Sequence, residues 1–177
     1  MNYQELDDRC KNLQIAEVGL ELLGDSVKKR PISPDYLGLC PFHRETNPSF
    51  FLKAKWNRYV CFGCEKGGNP LSLPFDYFGD DDKAMTYLAT KLKFDVGNKF
   101  SIAVLLNNLT FGEDIDRLFS FWWCGLEDFL RPECSILGAN ESSDLFRLMS
   151  QFALNNPEAD NDIADDFLSA YLRGALK

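Results

Sequence analysis

Four residues in the first 64 positions have types and spacings that suit metal binding. Cys40 and His43, the only histidine among 177 residues, are separated by two residues, and Cys61 and Cys64 repeat that spacing after seventeen intervening positions. Zn²⁺ takes four thiolate or imidazole ligands in a tetrahedron, and a two-residue spacing lets both members of a pair reach one ion. The pattern predicts one zinc ion held by these four side chains. The alternative interpretation is four unrelated buried residues.

Such a site would be structural, because protein atoms fill all four positions and leave none for an activated water. We therefore predict no catalytic residue here. In isolated finger peptides, structural zinc contributes about 10–16 kcal/mol to folding. Pro41 is expected to stiffen the first turn, and Gly63 to supply a positive φ in the second. The three remaining cysteines are interpreted as small buried hydrophobes; they are Cys10, Cys124 and Cys134.

Charge is distributed unevenly along the chain. The formal net charge is −8, yet residues 28–66 carry eight basic and three acidic side chains, whereas residues 98–177 have a net charge of −7. The positive segment coincides with the cysteines and suits a phosphate backbone. No apolar run approaches the roughly 20 residues of a membrane span, and the N-terminus is too polar for a secretory signal. We therefore expect a cytoplasmic protein with reduced cysteines, without a membrane partner.

Two short strands are predicted around the cysteines. Over 49–55, Phe50 and Leu52 alternate with Phe51 and Lys53, and a second strand is predicted over 58–62. The intervening "KWN" is a plausible hairpin tip. The preceding "KKRPISPDYLG" is interpreted as a proline-interrupted connector.

The rest of the chain has mainly helical spacing. Residues 3–24 have helical spacing and are predicted to form one helix, or two short helices if the chain breaks near 11–14, closed by Gly24. Asn69 and Pro70 are predicted to start another helix. Residues 100–109 suit either a strand or a helix. Further helices are predicted at 82–93, 113–130, 141–154 and 160–173. The fold class is therefore α+β: a zinc ribbon with flanking helices over 1–97, then an acidic, mainly helical domain over 98–177.

The motifs also resemble a known family. "YLGLCPFHRETNPSFFL" followed by "RYVCFGCEKGGN" is similar to the N-terminal zinc ribbon of bacterial DnaG-type DNA primases. The similarity covers about residues 3–95. The matching elements are Cys40–His43, Glu45, Pro48–Phe50, Cys61–Cys64 and Gly67–Gly68.

This resemblance implies a module that contacts single-stranded template DNA and helps to choose where a primer starts. Aromatic rings that stack on bases beside basic groups that follow phosphates suit such a ligand. The alternatives are that the aromatics pack the ribbon against its helices and that the basic groups form a solvated face. The predicted DNA-binding residues are Arg30, Arg44, Lys53, Lys55, Trp56, Arg58, Phe62 and Lys66.

The sequence also departs from the family pattern. Glu65 stands where the family often has glycine. Residues 98–177 have mainly helical spacing and do not show the toprim constellation of a glutamate after one strand and an Asp-x-Asp after another. We therefore expect the chain not to synthesise primers alone. It would act beside a separate primase, polymerase or helicase, docked through its helical C-terminal region, in a mobile element, plasmid or phage. The alternatives are a protein-interaction adaptor that has lost DNA binding and a minimal primase.

Overall fold

The computed structural model describes residues 2–109 and 139–174. The chain divides into two compact units, Lys11–Lys91 and Met1–Cys10 together with Leu92–Lys177. We call the first the ribbon unit and the second the helical unit. The division of the chain at residue 97 stays a prediction. The helix predicted at 113–130 lies outside the described residues. Cys124 and Cys134 lie outside them as well.

The ribbon unit contains an antiparallel five-stranded sheet whose strands follow one another in chain order. The two predicted strands are present, but the prediction of a connector before them is wrong, since two of the additional strands lie there. Strands of two or three residues are too short to show alternation in a sequence. The strands are β1 (Val27–Lys29), β2 (Tyr36–Gly38), β3 (Phe50–Lys53), β4 (Arg58–Cys61) and β5 (Gly67–Gly68).

The two faces of this sheet differ as the alternation predicts. Phe50, Leu52, Tyr59 and Cys61 are buried on one face, and the side chains between them are half-buried or exposed on the other. Helix α2 (Ile15–Leu23) covers the buried face so closely that a Cβ at Gly19 would lie 2.4 Å from the Leu52 side chain. A glycine is therefore required at this contact.

Two further helices complete the ribbon unit, α3 (Leu73–Phe78) and α4 (Asp81–Leu92). Helix α3 starts three residues later than the predicted Pro70, because the Asn69 side chain accepts the backbone N–H groups of Leu71 and Ser72 in a turn of its own. Pro74 falls in the first turn of α3, as expected. The chain before α2 begins with α1 (Tyr3–Asn12), so residues 3–24 form two short helices rather than one, and Gly24 closes α2 at φ 52°.

The described part of the helical unit consists of α1, α5 (Lys99–Asn108), α6 (Ala139–Asn155) and α7 (Asn161–Leu172). The ambiguous segment 100–109 is thus helical, and every residue from Lys99 to Leu106 is buried. Helix α7 buries Ala164 and Leu168, whereas its Ile163 is 41% exposed. The α+β class is confirmed. No helix within 2–109 or 139–174 combines the length and apolar character needed to cross a membrane.

Candidate metal centre

The structure brings the four predicted ligands together at one end of the sheet. The donor atoms of Cys40, His43, Cys61 and Cys64 all lie within 4.8 Å of one another. Cys61 is the last residue of β4, whereas Cys40 and His43 belong to the loop between β2 and β3. Pairing of β3 with β4 places Cys61 opposite Phe50, so the strands carry the two halves of the cluster to the same end.

The separations suit a tetrahedral zinc ion. A Zn–S bond of about 2.3 Å implies a sulfur–sulfur edge of about 3.8 Å in a regular tetrahedron. The Sγ atoms of Cys40 and Cys64 are 3.8 Å apart, and the Sγ atom of Cys61 is 3.8 Å from Nδ1 of His43. Three sulfurs and one imidazole nitrogen are ligands that zinc prefers. The donor set therefore fits one structural zinc ion.

Backbone amides also point at the sulfurs. The N–H groups of Gly63 and Cys64 donate to Sγ of Cys61 at 3.3 and 3.4 Å, and the N–H of Phe42 donates to Sγ of Cys40 at 3.4 Å. Such amides stabilise negative charge on a thiolate. The loops are thus shaped to hold thiolates, the form in which cysteine binds a metal.

The turn that carries Cys61 and Cys64 differs from the sequence prediction in the residue that has a positive φ. Gly63 does not adopt a positive φ; Glu65 does, at 62°. Gly63 is required for space instead, because a Cβ there would lie 2.7 Å from Nε2 of His43. The left-handed residue is thus Glu65, at the position where the resembling family often has glycine.

The thiols have opposite pKa shifts. Burial raises the pKa of Cys40 to about 12. Burial also acts to raise the pKa of Cys61, but the nearby Ser49 hydroxyl and the backbone N–H groups of Cys64 and Gly63 lower it to about 7. A buried thiol with a raised pKa ionises readily only beside a cation, so the pair fits a metal-binding role better than a reactive one.

Glu45 and Ser49 contact the ligands, which the ligand pattern alone does not indicate. Oε2 of Glu45 lies 3.2 Å from Nε2 of His43, and Oγ of Ser49 lies 3.2 Å from Sγ of Cys61. Both residues belong to the motif "HRETNPS", which is the sequence signal that could have identified them.

Most of the predicted DNA-binding residues lie on the side of the sheet opposite the buried core. Because paired residues of antiparallel strands share a face, Lys53 and Arg58 lie side by side. Phe62 packs edge-on against Phe51 with centroids 5.4 Å apart, and Nζ of Lys53 lies 4.3 Å from the Phe51 ring centroid. We call this surface the outer face; it comprises Lys28, Arg30, Phe51, Lys53, Trp56, Arg58 and Phe62.

The remaining predicted residues are placed differently. Nζ of Lys66 is 3.0 Å from Asp76 and 5.0 Å from the ring centroid of Phe42, whose ring contacts the buried-face residues Phe50 and Tyr59. Lys66 is therefore not grouped with the outer face. Arg44 is exposed between two residues of the metal centre, and Lys55 is exposed beside Trp56 at the hairpin tip.

Comparison with known proteins agrees with this geometry. Residues 3–105 match the family model described as CHC2 zinc finger. Similar curated proteins include the DNA primases of Synechocystis (48% identity over 54 residues; 30% of this chain and 8% of that protein), Listeria monocytogenes (36% over 76; 43% and 12%) and Staphylococcus aureus (33% over 97; 54% and 15%).

The matched segments thus span only about a tenth of those primases' length. Among solved structures, the zinc-binding and RNA polymerase domains of the Aquifex aeolicus primase align with 93% of this chain and 40% of that one, at 18% identity and a TM-score of 0.48. The family match covers more than half of the 177 residues and includes all four clustered ligands. The chain belongs to the CHC2 zinc-finger family of DnaG-type primases and has a binding site for one zinc ion.

Proposed function

We propose that the ribbon unit binds single-stranded template DNA on its outer face during replication or priming. The observation that carries the proposal is the line of exposed rings and cations along β3 and its hairpin. Trp56 and Phe62 are 65% and 68% exposed, although rings of this size are usually buried. Exposed rings separated by basic groups form the surface on which successive bases stack.

Spacing on the outer face supports a single strand. Lys53 lies between the half-buried ring of Phe51 and the exposed ring of Trp56, with its Nζ 4.3 Å and 5.8 Å from their centroids. Arg30 lies 5.8 Å from the Phe51 centroid on the side of β1. A backbone that followed these cations would present its bases to the rings.

Basic side chains predominate on the outer face. Lys28, Arg30, Lys53 and Arg58 lie on it, and Asp35 pairs with Lys53 at 3.2 Å. A local excess of basic side chains favours the binding of phosphates.

Fluorescence anisotropy of a labelled single-stranded oligonucleotide tests the proposal. Trp56→Ala should weaken binding about 5- to 100-fold, because loss of one stacked base costs about 1–3 kcal/mol. Arg58→Ala should lower the slope of log K against log salt by about 0.7, the value for one phosphate contact on a single strand. Arg58→Ala is preferable to Lys53→Ala, which would leave the Asp35 carboxylate without its ion pair.

Lys83→Ala is the matched control, since Lys83 is an exposed cation of the same unit on α4. It should leave both affinity and salt slope close to wild type. No binding at low salt, or equal effects of Lys83→Ala and Arg58→Ala, would contradict the proposal. Lys66→Ala and Arg44→Ala then show whether those two predicted residues also contribute.

A separate catalytic partner completes the proposal. The matched segments span about a tenth of the relatives named DNA primases, so most of each relative lies outside the segment that resembles this chain. We expect residues 98–177 to dock a primase, polymerase or helicase, and the location to be cytoplasmic. Adding the chain to a primase core that lacks its own zinc module should stimulate primer synthesis on a single-stranded template; absence of stimulation would contradict this partnership.

One observation favours the adaptor alternative. A cavity of about 310 Å³ in the ribbon unit is lined by Leu22, Leu23, Ser26, Leu39, Cys40, Pro41 and Tyr77, of which Leu39 and Tyr77 are 47% and 39% exposed. Exposed apolar side chains around a cavity of mixed lining suit contact with a protein side chain. Failure of the chain to bind DNA at low salt would make this surface the better candidate.

A further inference from the structure

We propose that Glu45 is a positioning residue of the zinc centre, whose single carboxylate connects three of the four ligands. Its side chain is only 11% exposed, between the two halves of the cluster. An ionised carboxylate buried beside three thiolates is costly unless donors surround it. The donors around Glu45 are the ligands themselves and the residue that contacts one of them.

The first carboxylate oxygen fixes the backbone of the ligand loop. Oε1 accepts the N–H of Cys40 at 2.7 Å and the N–H of Ser49 at 3.1 Å. These bonds join the start of the loop, where the first ligand lies, to its end at β3. The position of Cys40 therefore depends on Glu45 even though their side chains do not share a bond.

The second oxygen faces the other two ligands. Oε2 lies 3.2 Å from Nε2 of His43 and 2.5 Å from Oγ of Ser49, and that hydroxyl is 3.2 Å from Sγ of Cys61. A carboxylate offers about four acceptor positions, and here four donors occupy them. The network is thus complete without solvent.

The contact with His43 determines which imidazole nitrogen faces the metal. A proton on Nε2 is held by Glu45, which leaves the lone pair of Nδ1 directed at the cluster, 3.8 Å from Sγ of Cys61. A carboxylate in this position fixes the tautomer and orientation of the ring and makes it a better ligand. The structure therefore assigns the ligating nitrogen as Nδ1.

Glu45→Gln separates positioning of the ligands from folding of the loop. The amide oxygen of Gln can still accept the N–H groups of Cys40 and Ser49, but its NH₂ group would then face the N–H of His43. Glu65→Gln is the matched control, because it removes the same charge from the residue next to Cys64.

Zinc affinity of the full chain should be measured by competition with a chromophoric chelator. We expect Glu45→Gln to weaken zinc binding about 10- to 100-fold, the usual effect of removing an outer-shell partner. Ser49→Ala should have a smaller effect, because it removes the hydroxyl that joins Glu45 to Cys61 but leaves the contacts of Glu45 with Cys40 and His43 in place. Glu65→Gln should bind as wild type. Equal affinities of Glu45→Gln and wild type would overturn the proposal and leave Glu45 with a role in the loop alone.

Nuclear magnetic resonance of the imidazole supplies a readout that a purely structural role would not change. His43 is the only histidine, so its ring signals are assigned without ambiguity. In the zinc-loaded wild type, the Nε2–H proton should be visible in water and the ¹⁵N shifts should identify Nδ1 as the ligand. In Glu45→Gln that proton should be lost to exchange. Ligation through Nε2, or a protected proton in the variant, would contradict the proposal.

Discussion

The buried side chains of the described helical unit are mostly apolar. In the ribbon unit, by contrast, three cysteines and a histidine form a cluster of potential metal ligands beside the apolar core. Helix α5 buries Phe100 and every residue from Ile102 to Leu106, and its Phe100 ring stacks on Phe152 at 5.6 Å. The sheet of the ribbon unit has strands of only two to four residues. The ribbon unit thus has the metal centre as a source of stability in addition to the apolar burial that both units have.

This difference shows where a metal is needed. The ribbon unit has its own apolar core, formed by residues such as Leu52, Leu73, Met85 and Leu88. Its ligand loops, however, are largely exposed over 41–49 and 62–67 and bury little apolar surface. Zinc is expected to stabilise these loops and the strands that they join, whereas the helices rely on the hydrophobic effect.

The largest expected effect is that of removing a ligand. Cys64→Ser should abolish stoichiometric zinc binding and lower the free energy of unfolding of the ribbon unit by several kcal/mol, on the scale of structural zinc sites. Elemental analysis and urea denaturation measure the two quantities. Cys10→Ala removes a buried cysteine outside the cluster and should retain one zinc per chain. Full zinc content in Cys64→Ser would refute the four-ligand centre.

A core substitution in the helical unit should lower the free energy of unfolding without changing zinc binding. Leu105 is fully buried, so Leu105→Ala should lower the free energy of unfolding by about 2–5 kcal/mol and leave zinc content unchanged. Denaturation followed by far-ultraviolet circular dichroism checks the first expectation. Asn107→Ala, at the exposed C-terminal end of the same helix, is the control and should cost less than about 1 kcal/mol. Zinc loss in Leu105→Ala would show that the metal centre depends on the core of the helical unit.

Substitutions of Asn57 test how much its side-chain hydrogen bonds contribute to the stability of the ribbon unit. Its Oδ1 accepts the N–H of Ile15 at 2.7 Å, its Nδ2 donates to the carbonyl of Leu13 at 2.8 Å, and its φ is 50°. Asn57→Ala removes both bonds and strains the backbone, so a loss of about 2–3 kcal/mol is expected.

Asn57→Gly keeps the conformation and removes only the bonds, and should cost about 1 kcal/mol less than alanine. Thermal unfolding of the two variants separates the contributions. Identical melting temperatures for the two would show that the positive φ carries no cost.

The smallest effect concerns the ion pairs of α4. Hydrogen bonds from Lys91 and Tyr87 lower the pKa of Glu21. A lowered pKa in the folded state contributes stability above the unfolded value of about 4.3, and this is lost as pH falls through the folded pKa. Glu21→Gln should therefore cost less than about 1 kcal/mol at pH 6.5 and a smaller amount near pH 3. Melting temperatures at the two pH values, with exposed Glu158→Gln as control, measure this; a constant difference would contradict the assignment.

Much of this architecture was predictable from residue spacing. The two cysteine-containing pairs, the alternation over Phe50–Lys53 and the face shared by Met85, Leu88 and Leu92 each depend on local periodicity, and the structure confirms them. The α5 segment was ambiguous because a helix buried on all sides has no polar face to show a period.

Other features depend on partners far along the chain. Asn57 serves the first turn of α2, whose own cap residue Gln14 makes no side-chain hydrogen bond. Strands β1 and β2 are recognisable only because they pair with each other and with β3. The role of Glu45 likewise appears only when the loop closes on itself. Such contacts are set by tertiary structure, which sequence periodicity does not report.

Hydrogen exchange followed by mass spectrometry, with and without a zinc chelator, tests the central claim most directly. Peptides from 39–49 and 58–68 should lose protection when zinc is removed, whereas those from 99–108 and 145–171 should keep it. Unchanged protection of the ligand loops, or an equal loss in both units, would contradict the conclusion that one zinc ion organises the ribbon.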